Sequence, residues 1–170
     1  GSIVLEVEFG APLQGSLAGF YKSSYRTNAL RQSDPEKGIK YIATTQFEPA
    51  DARRAFPCFD EPAMKATFDI SITTGKSFTA ISNMPVKQEE ILKEKKKFTF
   101  LTTPKMSTYL VYLGVGEFEF LTDKAQNVDI RFAAVNGKSK YGKFALECTK
   151  KFLEREKEFV YFVGALLQWL

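Results

Sequence analysis

The 170-residue sequence contains no histidine. Ser-His and Cys-His nucleophilic pairs are therefore excluded, because both use an imidazole as general base. A catalytic zinc site with two histidines one helical turn apart is excluded by the same absence. Carboxylate chemistry of the glycosidase type remains formally open, but the neighbouring Asp60 and Glu61 point in different directions and no distinct acid pair stands out. The sequence therefore offers no catalytic residues and no complete set of metal ligands.

Cysteine is also scarce, with Cys58 and Cys148 as the two examples. They form no disulfide framework and no CxxC pair, so we expect free, buried thiols in a reducing compartment and a cytoplasmic location. Long hydrophobic runs are lacking too. The nearly continuous apolar run Phe159 to Leu170 has 12 residues, which is too short to span a bilayer. We predict no membrane span, and the run could instead support self-association.

The net charge of +4 is small. The densest basic run, Lys93 to Lys97, leads directly into the strand-like residues 98–101. Binding of nucleic acid would need basic residues on one face with aromatic residues between them. A hairpin with a solvated tip explains the run better, so no nucleic-acid partner is predicted. A short helix over residues 90–97 is the alternative that the pattern leaves open.

Aromatic residues are abundant, with 16 Phe and 7 Tyr. Short segments of alternating apolar and polar residues recur with turn residues between them, which is typical of an all-β sandwich or saddle. Such segments lie at Ile3 to Phe9, Leu17 to Tyr25, Ile39 to Glu48, Ala66 to Thr74, Met106 to Tyr112 and Val128 to Val135. From Gly142 the spacing changes to three or four residues, which predicts a C-terminal helix with Phe144, Cys148, Phe152, Arg155 and Phe159 on one face.

One strand end carries polar side chains that could form a site. Because side chains alternate along a strand, Gln46 and Glu48 should project to one side and Phe47 to the other. A carboxylate at this position could hold an ammonium group, and the amide beside it could supply a donor and an acceptor. The alternative is a solvated strand end, which is the ordinary environment of a carboxylate.

The segment after this strand end is doubly basic. We expect Arg53 and Arg54 to be structural, because guanidinium groups hold carboxylates and carbonyls in place. Asp60 and Glu61 are their expected partners, and Asp51 is expected to cap a short helical turn.

Five ordered segments carry a resemblance to a known family. They are LAGFYKSSYR, TTQFEPADARRAFPCFDEPAMKATFDISI, AISNMP, TPKMSTYLVYLGVGEFEF and KYGKFALE. Together they resemble the N-terminal domain of the zinc aminopeptidases that include aminopeptidase N and puromycin-sensitive aminopeptidase, from about residue 5 to residue 153. The resemblance implies a mainly β fold, a bent antiparallel sheet saddle or sandwich, followed by a helix.

The resemblance also implies roles for individual residues. Glu48 matches the glutamate that binds the free α-ammonium of a peptide N-terminus, and Gln46 matches the glutamine that lines the pocket for the first side chain. The parent enzyme would remove single residues from peptide N-termini with zinc held outside this chain. A related branch that hydrolyses lipid epoxides usually carries glutamine at the anchor position, so Glu48 favours a peptidase.

The resemblance further implies how the chain is divided. Residues 1–136 would be the β-domain, incomplete at its start, and residues 137–170 the first helix of the catalytic domain with a divergent apolar tail. We expect a chain cut at both ends that by itself hydrolyses nothing and whose partner is the missing catalytic domain. The alternatives are a non-catalytic binding module and a self-assembling module.

Overall fold

The computed structural model describes residues 1–13, 15–27 and 38–155. Within those ranges it contains nine β-strands followed by one α-helix, α1 (Gly142–Arg155). The strands are β1 (Gly19–Arg26), β2 (Ile39–Gln46), β3 (Ser71–Gly75), β4 (Thr79–Ser82), β5 (Val86–Leu92), β6 (Lys95–Phe100), β7 (Leu113–Gly116), β8 (Phe118–Ala125) and β9 (Val128–Val135). Single 3-10 turns lie at Ala52–Arg54, Thr108–Leu110 and Ser139–Tyr141.

The strands form three antiparallel units. A four-stranded sheet has the order β1-β2-β7-β4, a three-stranded sheet has the order β3-β6-β5, and β8 pairs with β9 as a hairpin. Ala80 of the first sheet and Phe98 and Phe100 of the second sheet are buried together, so these two sheets share a core. The prediction of a mainly β fold with antiparallel sheets and a C-terminal helix is confirmed.

The basic run forms the predicted hairpin. β5 and β6 pair from Val86 to Leu92, and the chain reverses through Lys93, whose φ of 44° is in the left-handed region. Phe98 and Phe100 are buried two residues apart, which is the period of a strand. The helical alternative for residues 90–97 is wrong, because Glu90, Ile91 and Leu92 pair with Lys97, Lys96 and Lys95 across the hairpin.

Helix α1 packs on the hairpin of β8 and β9 and begins where predicted. Leu153, with Leu146 seven residues earlier, meets the buried side chains of Ala125 and Ile130. The predicted apolar face is not the packed one, since Phe144 is 75% exposed and Cys148 and Phe152 are also exposed. The face that contacts the hairpin was set by tertiary packing and not by the aromatic spacing.

The C-terminal predictions are tested only in part. Phe159 and the run Phe159 to Leu170, with its predicted role in self-association, lie outside the described residues. The division at residues 136 and 137 stays a prediction, although α1 shares its buried cluster with β8 and β9. Among the described residues, no helix has the length and apolarity needed to cross a membrane.

Two predicted strands are not formed. Residues Ile3 to Phe9 are exposed and have no strand pairing within the described ranges, and alternation alone does not make a strand without a neighbour. Residues 106–112 instead contain a bridge from Met106 to Ala66 and then a 3-10 turn. The Ser107 hydroxyl donates to the carbonyl of Pro62 at 2.6 Å and the Thr108 hydroxyl donates to Asp60 at 2.9 Å, so side-chain hydrogen bonds hold this segment against residues near 60.

Candidate functional site

The predicted site lies at the end of β2, an interior strand of the four-stranded sheet. Gln46 is the last residue of β2 and pairs with Gly19 at the start of β1. Phe47 follows and is only 2% exposed, and its ring meets the Phe56 ring edge to face at 6.0 Å between centroids. Such aromatic pairs stabilise beyond the area that they bury. The strand end is therefore fixed in the core, in a cluster with Ala52, Met106 and Val111.

A tight turn carries the chain away from this strand end. The backbone N–H of Asp51 donates to the carbonyl of Phe47 at 2.8 Å, which closes a turn that contains Glu48. The peptide bond between Glu48 and Pro49 is cis. A 3-10 turn over Ala52–Arg54 follows directly. The position of Glu48 is thus determined by a buried phenylalanine before it and a hydrogen-bonded turn after it.

The predicted cap by Asp51 is wrong. The 3-10 turn begins after Asp51, but the Asp51 side chain makes no capping hydrogen bond. Its carboxylate instead binds Nε of Arg54 at 2.7 Å. An ion pair to a guanidinium three residues along competes directly with the backbone N–H groups for the same oxygens.

Gln46 and Glu48 differ in exposure but flank the same buried residue. Gln46 is half-buried and Glu48 is exposed, while Phe47 between them faces the core. In the described part of the chain, neither side chain takes part in a hydrogen bond or an ion pair. Both polar groups are therefore available to a ligand, and no direct contact joins them to each other.

Asp60 is the buried charge of this region. Its carboxylate is 1% exposed and accepts hydrogen bonds from the N–H of Arg53 at 3.1 Å, Nε of Arg53 at 3.0 Å and the hydroxyl of Thr108 at 2.9 Å. Burial alone would raise the pKa of Asp60, but these hydrogen bonds and the Arg53 charge outweigh it and hold the pKa below its ordinary value.

The structural interpretation of the two arginines is confirmed in one pairing and corrected in the other. Arg53 binds Asp60 as predicted. Arg54 binds Asp51 and not Glu61, whose carboxylate accepts from the N–H of Ala63 at 3.5 Å. Because Asp60 lies between the strand-end turn and the Thr108 turn, it connects the two segments.

The two cysteines are free, but they are not both buried as predicted. Cys58 is half-buried against the Phe47 cluster, whereas Cys148 is exposed on α1. Burial, together with the negative charge of Asp60, raises the pKa of the Cys58 thiol. Cys58 is therefore a neutral packing residue at physiological pH.

The donor set of this chain does not fit a zinc site. The sequence has no histidine, and among the described residues no three His, Cys, Asp or Glu side chains lie close enough to hold a metal ion. Asp51 and Asp60, the aspartates nearest to the strand end along the chain, are each already bound to an arginine.

Sequence patterns missed the contact between Gly19 and Arg54. A Cβ atom placed on Gly19 would lie 2.9 Å from Cβ of Arg54. Arg54 also lines a groove of about 360 Å³, together with Ala11, Pro12, Ala18 and Phe20. Gln46 and Glu48 do not line it. The signal that could have been followed is a glycine at a strand start, where a side chain is otherwise expected to pack.

Comparison with known proteins identifies relatives along most of the chain. The model of the Peptidase M1 N-terminal domain matches residues 1–110. Aminopeptidase 2, mitochondrial, of Saccharomyces cerevisiae is 44% identical over 153 residues, 90% of this chain and 15% of that protein. Aminopeptidase M1 of Arabidopsis thaliana is 42% identical over 157 residues, 92% of this chain and 17% of that protein. Puromycin-sensitive aminopeptidase of Caenorhabditis elegans is 39% identical over 155 residues, 89% of this chain and 16% of that protein. The chain thus spans less than a fifth of each of these relatives.

Proposed function

This chain belongs to the peptidase M1 N-terminal domain family, and we propose that it is the substrate-anchoring portion of a zinc-dependent aminopeptidase. In this proposal Glu48 binds the α-ammonium of a peptide N-terminus, and Gln46 lines the pocket for the first side chain. Residues 1–136 form the β-domain, and residues 137–170 begin the catalytic domain that completes the enzyme. The aminopeptidases that match over about nine-tenths of this chain support the proposed activity.

The observation that carries the proposal is the unpaired carboxylate of Glu48. The two aspartates of the same segment, Asp51 and Asp60, are each bound to an arginine. Glu48 is exposed and, in the described part of the chain, has no cationic partner. Its backbone is held by the buried Phe47 and by the hydrogen-bonded turn. An unpaired carboxylate at such a position is suited to a cation supplied by a ligand, and an α-ammonium group is such a cation.

The fixed strand end explains how such an anchor would set the cleavage point. Phe47 is buried and the turn after it is hydrogen-bonded, so the Glu48 backbone has little freedom to move. A charged terminus bound at a fixed point places the first peptide bond at a fixed distance from it. Gln46 is half-buried two residues before Glu48. It would contact the side chain of the substrate's first residue, which lies between the bound ammonium and the first peptide bond.

Zinc in this proposal belongs to the rest of the enzyme. The residues of this chain do not fit a zinc site, because it has no histidine and its described residues form no metal-binding cluster. The chemistry that this chain contributes is binding and orientation of the free N-terminus.

The test is substitution of Glu48 in the intact aminopeptidase that carries this domain. Glu48→Ala is expected to raise KM for fluorogenic aminoacyl substrates and to lower kcat/KM. The loss corresponds to about 2–4 kcal/mol of transition-state stabilisation if the ion pair is buried in the enzyme–substrate complex, because the ammonium then loses its counter-charge. Glu48→Gln keeps the shape of the side chain, so it isolates the charge. Glu61→Gln is the matched control, since Glu61 is an exposed acid of the same segment whose carboxylate pairs with no arginine among the described residues.

Substrates with an acetylated N-terminus provide the second arm. Their weak turnover should be insensitive to Glu48→Ala, because they have no ammonium group to lose. Wild-type kinetics for free aminoacyl substrates in both Glu48 variants would remove Glu48 from the site.

A further inference from the structure

We propose that Gly19 and Arg54 are positioning residues for the anchor, because their contact fixes the turn that carries Glu48 relative to Gln46. This inference rests on the proposed function. Neither residue needs to contact the substrate. Their role would be to hold the strand end and the following turn at a set separation.

Gly19 lies next to both the strand end that carries Gln46 and the 3-10 turn that carries Arg54. It is the pairing partner of Gln46 across β1 and β2, and its own Cα faces the side chain of Arg54. A Cβ atom added there would lie 2.9 Å from Cβ, 3.4 Å from Cδ and 3.7 Å from Cγ of Arg54. The φ of Gly19 is 77°, a left-handed conformation that glycine adopts without steric cost.

The closest of these atoms cannot easily move aside. Cβ of Arg54 is bonded to the backbone of the 3-10 turn, so rotation of the arginine side chain does not displace it. A methyl group on Gly19 must therefore displace the 3-10 turn that contains Arg54, or else shift the start of β1. Close-packed interiors respond to such overlaps with backbone shifts.

A displaced turn would move Glu48 through an unbroken series of contacts. Arg54 binds Asp51 through the 2.7 Å ion pair and through its own N–H, which donates to the carbonyl of Asp51 at 3.1 Å. The N–H of Asp51 in turn donates to the carbonyl of Phe47, which closes the loop around Glu48. Phe47 is buried in the core and holds its end of the loop in place. Since β1 is paired with β2 along its whole length, we expect the turn to move rather than β1, so that the shift falls on Glu48 while Gln46 stays paired with Gly19.

The experiment is steady-state kinetics of Gly19→Ala in the intact aminopeptidase, with its melting temperature measured in parallel. We expect kcat/KM for free aminoacyl substrates to fall on the order of tenfold to a hundredfold, mainly through KM, as for a small misplacement of a positioning group. Gly75→Ala is the matched control. Its added Cβ would lie 3.5 Å from the nearest atom, an ordinary contact at a distant strand end, and wild-type KM is expected.

A double variant separates positioning from stability. If Gly19 acts through the anchor, Gly19→Ala should change KM by less than about twofold when Glu48→Ala is already present, because coupled residues are not additive. Additive losses, or a folded Gly19→Ala enzyme with wild-type KM, would overturn the inference. If Glu48→Ala itself leaves KM unchanged, the proposed function fails instead, so the two failures are distinguishable.

Asp51→Asn covers the case in which Gly19→Ala does not fold. It weakens the ion pair to the half-exposed Arg54 without adding an atom, so little stability should be lost. A rise in KM of about twofold to fivefold would support the inference. An unchanged KM in folded Asp51→Asn would overturn it.

Discussion

The buried carboxylate of Asp60 allows the sharpest test of how the strand-end region is held together. We predict that Asp60→Asn lowers the free energy of unfolding of this chain by about 2–3 kcal/mol, because hydrogen bonds to a buried charged group contribute about 1.5–3 kcal/mol each and are not additive. The Arg53 side chain is 58% exposed, so its ionic contribution is discounted for screening by solvent. The three donors that lose a charged acceptor come from Arg53 and Thr108.

Asparagine is the informative replacement because it keeps the backbone preference. Asp60 has a φ of 54°, a left-handed conformation in which Asp and Asn are both tolerated. With its oxygen towards Arg53, the amide of the introduced asparagine can keep both hydrogen bonds from Arg53 and donate to the Thr108 hydroxyl, so the substitution removes mainly the negative charge. Asp60→Ala loses all three hydrogen bonds and adds about 1 kcal/mol for the left-handed backbone. The difference between the two variants therefore reports the hydrogen bonds that asparagine keeps together with the backbone cost.

The effect of Asp60 must depend on pH. Its folded-state pKa is lowered from the ordinary value of 3.8, so near that pH the unfolded chain binds more protons than the folded chain. The stabilisation is fully present above the unfolded pKa and is lost as the pH falls through the lower folded pKa. The stability difference between wild type and Asp60→Asn should therefore be constant near neutral pH and shrink below about pH 4.

Urea unfolding, followed by circular dichroism in the far and near ultraviolet, measures both quantities. Carboxylates elsewhere, such as Glu119 and Asp123, also have lowered pKa values, but their contributions cancel in the difference between variant and wild type. A stability difference near zero at neutral pH, or one that does not shrink in acid, would refute the reasoning about Asp60.

Two further predictions concern other parts of the chain. Gly142→Ala should lower the free energy of unfolding by about 1–3 kcal/mol, and with it the melting temperature, because the added Cβ would lie 2.1 Å from the Phe132 ring. Equal melting curves for the variant and the wild type would contradict the packing of α1 on the hairpin. A thiol reagent should label Cys148 much faster than Cys58, since Cys148 is exposed while burial raises the pKa of the Cys58 thiol. Equal labelling rates, read by mass spectrometry of the digested chain, would contradict the burial of Cys58.

Much of the fold was predictable because the alternation of half-buried strands and the turn residues between them can be read in the local sequence. Alternating segments indicated β2 and β9 nearly to their observed bounds, and the basic hairpin tip followed from a charged turn between two apolar runs. The failures were segments whose state depends on a distant neighbour. Residues 3–9 alternate but have no pairing in the described ranges, and residues 106–112 are redirected by hydrogen bonds to residues near 60.

In the candidate site, too, some residues could be identified from the sequence, whereas some of their contacts could not. Gln46 and Glu48 could be chosen from the alternation and from the resemblance, and Arg53 with Asp60 from complementary charge. The pairing of Arg54 with Asp51 could not be distinguished in advance from a pairing with Glu61, because several acids lie within reach of one flexible arginine. The steric contact between Gly19 and Arg54 joins residues 35 positions apart in the sequence, and no local pattern reports it.

The sequence by itself determined the class of fold, the family and the absence of histidine chemistry, since composition, short-range alternation and ordered motifs are properties of the chain alone. Only the tertiary structure decided which acids are paired, which helix face is buried and which carboxylate remains available. These depend on the balance between desolvation and hydrogen bonding at each position, and that balance is set by side chains that become neighbours only after the chain has folded.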